Sequence, residues 1–129
     1  MSNYIVIDGI EYPVGITELQ RKADILDKYA HRDENGVLHR EPIGTYHNYS
    51  LKIYVRPTEY DLYNRLFDVL SEPVASHMVE LPHDHIRFEG YFSSVQDSIK
   101  RINPDGTVRY TGLQCNLIAI KPRRTASGN

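Results

Sequence analysis

Residues 48–55 constrain the fold more than any other part of the chain, because their side chains alternate strictly between apolar and polar. One side carries Tyr49, Leu51, Ile53 and Val55, and the other carries Asn48, Ser50, Lys52 and Tyr54. Alternation with a period of two, rich in β-branched and aromatic residues, is typical of a strand with one buried face. A long strand with one apolar and one polar face predicts a β scaffold rather than an enzyme whose pocket is lined by catalytic side chains.

Residues 16–30, just before this strand, fit two interpretations. Apolar residues recur there at helical spacing, but residues 19–25 also alternate as a strand would. The Asn35-Gly36 pair that follows is a good hairpin turn, and the long strand after it needs a neighbour. We favour an extended hairpin tipped by Asn35-Gly36, since tertiary pairing often overrides helix propensity. The helical alternative stays open at this point.

The pattern of residues 58–71 predicts the one clear helix of the chain. Thr58 can cap its start, with Asp61 completing a pair that resembles a capping box. Pro73 prevents continuation of the helix. The apolar face of this helix comprises Leu62, Tyr63, Leu66, Phe67 and Leu70.

Turn signals divide the rest of the chain into further antiparallel pairs. Asp8-Gly9 separates two short apolar runs, residues 4–7 and 10–14, and predicts a tight hairpin. Residues 74–81 and 86–98 alternate on either side of a polar tip, with a bulge at Gly90 or at Ser93-Ser94. A turn at residues 103–106 leads into a last strand over residues 107–120, and order is expected to end at residues 121–124.

The order of these elements predicts a β-rich α+β fold. We expect an antiparallel β sandwich or rolled sheet with a long hairpin and one packed α-helix at about residues 58–71. Residues 1–124 form a single domain, and residues 125–129 form a flexible C-terminal tail. No internal repeat or linker divides the 129-residue chain.

Composition narrows the classes of function. The formal charge of −2 gives no electrostatic case for general binding to nucleic acid or to an anionic membrane. No apolar run approaches the ~20 residues of a membrane span, and no signal peptide is visible. We therefore expect a soluble protein made in the cytoplasm. The chain has ten tyrosines and no tryptophan, which favours contact surfaces of an unspecified kind.

Reactive groups are few and scattered, and we predict no catalytic and no cofactor-binding residues. His83 and His85, two positions apart on an extended chain with Asp84 between them, are weak candidates for a metal site, although a solvated hairpin tip is the preferred interpretation. The carboxylate pairs Asp24 with Asp27 and Glu59 with Asp61 are expected on solvated faces or at a helix N-terminus. The single cysteine, Cys115, is expected to be a small buried hydrophobe.

A second class of function is a small β-barrel module that binds single-stranded nucleic acid or glycan. Exposed tyrosines on such folds can stack bases, and Arg21, Lys22, Lys52 and Arg56 could contact a backbone. Acidic residues outnumber basic ones, 17 to 15, so this remains the alternative and no specific nucleic acid is expected as a partner.

Three segments spread over most of the chain carry a family resemblance. The first is residues 40–51, with the sequence REPIGTYHNYSL; the second is the helix opening at residues 59–63, followed by Leu70 and Pro73. The third runs from Thr111 to Ala119, with Pro122 and Arg123 behind it. Together they resemble small structural proteins from the tail modules of siphophages and of prophages in Gram-positive bacteria. The likeness covers residues 19–124 and involves structural motifs only.

This resemblance implies a non-enzymatic virion protein with a tail-tube type of fold. Such a protein assembles in the bacterial host cytoplasm, becomes part of the virion tail, forms homo-oligomeric rings and docks to other tail proteins, with no membrane partner and no cofactor. The long hairpin would join strands of its neighbours. We expect subunit contacts from Tyr46, Tyr49, Tyr54, Asn35 and Gly36.

Overall fold

The computed structural model describes residues 3–56 and 58–125 and consists of strands, one α-helix and a short 3₁₀ turn. The helix α1 spans Tyr60–Leu70, and the 3₁₀ turn spans His83–His85. The first four strands are β1 (Ile5–Ile7), β2 (Ile10–Tyr12), β3 (Gly15–Arg32) and β4 (Leu38–Tyr54). The remaining strands are β5 (His77–Glu80), β6 (Arg87–Ile102), β7 (Val108–Ala119) and β8 (Arg124–Thr125).

All described strands belong to one antiparallel sheet that curls into a half-barrel. The strand order is β2-β1-β5-β6-β7-β4-β3, with β8 added beside β4. The prediction of a β-rich α+β fold with a rolled sheet is confirmed, because a single curled sheet and one helix enclose the core. A curled sheet can bury its concave face without a second sheet, and here the apolar residues of most strands converge on that face.

The turns of the first two hairpins form at the residues that the sequence predicted. Asp8 and Gly9 take φ values of 52° and 83°, the left-handed conformations that a two-residue hairpin turn requires. Residues 16–30 are strand, which resolves the ambiguity in favour of the hairpin. At its tip, the Asp33 carboxylate accepts hydrogen bonds from the backbone N–H groups of Asn35 and Val37. Local turn bonds thus fix the position at which the long hairpin reverses.

The alternation in β4 produces the predicted two faces. Tyr49, Leu51 and Ile53 are buried, whereas the side chains between them are exposed. The same three residues lie opposite Leu117, Cys115 and Leu113 of β7, so both strands bury the same face. Further core residues come from β1, β5 and the segments just after β2 and β5: Ile5, Ile7, Val14, Val79 and Leu81.

Helix α1 packs on the core through the predicted face but starts differently from the prediction. Tyr63, Leu66 and Leu70 are buried, and Leu62 and Phe67 pack against them. The N-cap residue is Glu59 and makes no side-chain capping bond, so the predicted cap by Thr58 with Asp61 is wrong. The helix begins too late for Thr58 to sit at the N-cap. At the other end, the Ser71 hydroxyl donates to the Phe67 carbonyl.

The β6–β7 pair contains a bulge at Ser94, one of the two predicted positions. The pairing register shifts between Ser93 and Gln96, and Ser94 has a φ of 53°. Gly90 is regularly paired instead, with His77 on one side and Ala119 on the other. A Cβ at Gly90 would lie 2.8 Å from the Ile118 carbonyl oxygen, so this glycine serves close strand approach rather than a bulge.

Regular structure continues past the point at which order was expected to end. Arg124 and Thr125 form β8 and pair with Thr45 and Gly44, so the expected end at residues 121–124 is wrong, and Thr125 does not belong to a loose tail. The backbone N–H of Arg123 donates to the Thr45 carbonyl and brings the chain back to β4. The rest of the expected tail, residues 126–129, lies outside the described residues.

Candidate interaction surfaces

Two hairpins extend beyond the curled sheet at opposite ends. In the β3–β4 hairpin, the part over residues 25–43 (the long arm) projects past the sheet, and in the β6–β7 hairpin residues 98–111 do so (the short arm). β4 and β7 pair antiparallel through Tyr49–Ile53 only, so the two tips point in opposite directions. At about 3.3 Å per residue, the long arm reaches about 25 Å and the short arm about 16 Å.

The long arm exposes an unusual amount of apolar surface for a strand pair. Beyond Gly44 its two strands pair only with each other among the described residues. Large hydrophobic side chains lie exposed along it: Ile25, Leu26, Tyr29, Val37, Leu38 and Ile43. Several large apolar side chains exposed on one projecting hairpin are typical of a surface that another molecule covers.

Polar contacts hold the long arm together internally. The His31 and His39 rings stack with centroids 5.3 Å apart, and Tyr29 lies against His31. His39 Nε2 lies 2.9 Å from an Asp33 carboxylate oxygen, and that hydrogen bond is the main reason why the Asp33 pKa is lowered. Nearer the sheet, Arg40 lies 2.8 Å from Asp27. These contacts keep the arm extended without a core beneath it.

The predicted contact residues fall into different environments. Asn35 and Gly36 are exposed at the tip of the long arm, where Gly36 has a φ of 79°. Tyr54 is exposed at the far end of β4, and Tyr46 is half-buried near the base of the arm. Tyr49 is only 2% exposed and packs inside its own subunit, so the expectation that its ring contacts another subunit is wrong.

The histidine pair at the polar tip does not adopt the geometry expected of it. His83 and His85 lie in a 3₁₀ turn in which Asp84 and His85 have positive φ values, so they do not share one side of an extended chain. His85 Nδ1 is 2.6 Å from the Tyr4 hydroxyl, whereas His83 Nε2 faces Arg21. Within residues 3–56 and 58–125, no three His, Cys, Asp or Glu side chains are grouped so that they could hold a metal ion.

The other candidate reactive groups have structural surroundings. Asp24 accepts a hydrogen bond from the Asn48 amide at 2.8 Å, and Asp27 pairs with Arg40 as described above. Cys115 is buried, as predicted, and burial raises the pKa of its thiol to about 12. A thiol with so high a pKa is protonated at neutral pH and is a poor nucleophile.

The sequence did not predict one contact between a buried histidine and an aspartate. His77 is 3% exposed, and its Nδ1 lies 2.6 Å from an Asp8 carboxylate oxygen, while the other Asp8 oxygen accepts the Met78 N–H. The pair ties the first hairpin turn to β5. The alternation of His77 with Val79 and Leu81 was a signal that His77 is buried, but nothing in the sequence placed Asp8 beside it.

Comparison of the chain with protein-family models, with curated proteins and with solved structures found no significant match. Among the described residues, no helix has the length and apolar character needed to cross a membrane. The interaction surfaces must therefore be interpreted from their own geometry.

Proposed function

We propose that this chain is a non-enzymatic structural protein of a phage or prophage tail, which acts by self-association and by docking to neighbouring tail proteins. The observation that supports this proposal most is the long arm, since it leaves the body of the protein with large apolar side chains exposed. The resemblance of residues 40–51, 59–63 and 111–119 to tail proteins gives the proposal its biological setting.

Open strand edges supply a second means of association. β3 is the last strand in the sheet order, so the outer edge of its 18 residues has no partner strand in the described part of the chain. Unpaired N–H and C=O groups on such an edge recruit a strand of another subunit through backbone hydrogen bonds. The apolar side chains of the arm would add the buried surface that such a contact needs.

The positions of the arms favour head-to-tail contacts. Because they leave the sheet at opposite ends, one subunit can present the long arm to a neighbour on one side and the short arm to a neighbour on the other. Contacts of this heterologous kind close into rings or continue as filaments, according to the rotation between subunits. Both outcomes suit a component of a tubular tail.

The test is the mass of the purified full chain, measured by light scattering over a range of concentrations, with electron microscopy of the product. We expect the mass to rise with concentration. The double variant Ile25→Ser with Leu38→Ser should remain monomeric. The matched control Ile10→Ser should associate as the native chain does, because Ile10 is 58% exposed against 57% for Ile25 but lies outside the arm.

A native chain that stays monomeric at every concentration and forms no ordered particle would overturn the proposal of self-association. If the same monomer retarded single-stranded DNA in a salt-dependent way, or bound glycans, the binding-module alternative would replace it.

A further inference from the structure

A cavity of about 300 Å³ lies at the end of the curled sheet where β7 finishes and the chain turns back towards β8. Its volume is at the lower end of the range for small-molecule sites. Apolar and aromatic side chains form much of the lining: Tyr49, Met78, Ile86, Phe88, Ala119 and Pro122. Its volume and apolar lining suit a small ligand with an apolar body.

Tyr49 forms part of the cavity wall, and its hydroxyl lies behind that wall. Its ring is 2% exposed and packs against Phe88, with centroids 5.6 Å apart. Its hydroxyl is buried and has no hydrogen-bond partner among the described residues. The hydroxyl is therefore closed off from a molecule in the cavity, and the ring alone contributes to the cavity wall.

Two cations and one carboxylate border the cavity. The cations are Lys121 and Arg123, and neither forms an ion pair with any described residue. The one acidic lining residue, Glu89, already accepts a hydrogen bond from the Ser76 hydroxyl at 2.7 Å.

The His47 imidazole also lines the cavity. Its pKa is lowered, first by burial and then by the positive charges of Arg21, Arg123 and Arg124, so it adds no charge to the cavity at neutral pH.

We propose that this cavity binds a small amphipathic anion, a carboxylate or sulfonate on a flat apolar body. The body lies against Tyr49 and Phe88, and the anionic group faces Lys121 and Arg123. Charge-assisted hydrogen bonds to the two cations supply the orientation. The site is separate from the long arm and does not depend on self-association.

Isothermal titration of the full chain with naphthalene-2-carboxylate tests the proposal, with naphthalene-2-carboxamide as a neutral ligand of the same shape. We expect saturable binding at one site per chain, with the amide about tenfold weaker, because it loses a charge-assisted contact. The double variant Lys121→Gln with Arg123→Gln should bind the carboxylate at least about tenfold more weakly.

Two further variants locate the site. Lys100→Gln with Arg109→Gln removes the same number of charges from the short arm and should leave the affinity within about twofold, since these charges lie far from the cavity. Tyr49→Phe keeps the aromatic wall and should also leave the affinity within about twofold, since the hydroxyl that it removes is closed off from the cavity. No saturable binding, equal affinity for the amide, or equal losses in both double variants would overturn the proposal.

Discussion

Strand β4 passes through two environments, and the difference between them separates stability from association in this protein. Its second half, at Tyr49, Leu51 and Ile53, is buried between β3, β7 and the helix. Its first half, at Leu38 and Ile43, carries side chains of similar apolarity into solvent. Apolar residues in the sheet body hold the chain together, whereas those in the long arm are available to another molecule.

The strongest test of this comparison makes the same substitution in both halves of β4. Leu51 is 1% exposed, so Leu51→Ala should lower the free energy of unfolding by about 2–5 kcal/mol. Leu38 is 45% exposed, and Leu38→Ala should change it by less than about 0.5 kcal/mol. Urea denaturation of the dispersed protein measures both. Equal losses in the two variants would mean that the arm is part of the folding core.

A second test addresses the junction between the body and the arm. A Cβ at Gly44 would lie 2.5 Å from the Arg124 carbonyl oxygen and 2.8 Å from Pro122, so Gly44→Ala should displace β8 and cost about 1–3 kcal/mol of stability. Gly15 in β3 is the control, because a Cβ there meets nothing closer than 3.5 Å. Thermal unfolding should show a clear fall for Gly44→Ala and little change for Gly15→Ala.

A smaller effect should distinguish two carboxylate–histidine pairs, one in the body and one in the arm. Asp8 contacts buried His77, and Asp33 contacts half-exposed His39; in each case the hydrogen bond lowers the pKa of the aspartate. A lowered pKa means that the folded state binds the proton less readily than the unfolded chain does. The ordinary pKa of an aspartate is 3.8, so each contact stabilises the fold fully at pH values above it. That stabilisation is lost as the pH falls through the lowered pKa of the folded state.

The free energy of unfolding, measured from neutral to strongly acidic pH, checks the direction of this pH dependence. Asp8→Asn should lower stability at neutral pH and reduce its fall in acid, because it removes the titrating carboxylate that contacts buried His77. Asp33→Asn should have a smaller effect on global stability, since both members of that pair are solvated. If Asp33→Asn had the larger effect, the arm and the body would not differ as described.

Local patterns in the sequence predicted most of the secondary structure because the interactions responsible are themselves local. The period of two in residues 48–55 placed Tyr49 with Leu51 on the buried face, which is where the structure has it. The Asp8-Gly9 and Asn35-Gly36 pairs predicted two turns, because Gly, Asn and Asp adopt positive φ values more readily than other residues do. The apolar face of the helix was also predicted correctly, but its N-terminal cap was not.

The errors arose where a distant part of the chain decides the outcome. The expected contact role of Tyr49 conflicted with its alternation pattern, and the pairing of β4 with β7 determined that its ring is buried. The strand at Arg124 and Thr125 forms only because Gly44 leaves room for it, some 80 positions earlier in the sequence. The turn conformation of Asp84 and His85 likewise separated two histidines that a simple extended chain would align.

The sequence by itself determined where this chain forms strands, turns and a helix, because side-chain period and turn propensity act over a few residues. Only the tertiary structure decided which strands leave the sheet as arms, which tyrosine is buried, and which charged side chains surround the cavity beneath residues 121–123. Those features depend on which strands lie side by side when the sheet curls, and residues far apart in the chain make those pairings.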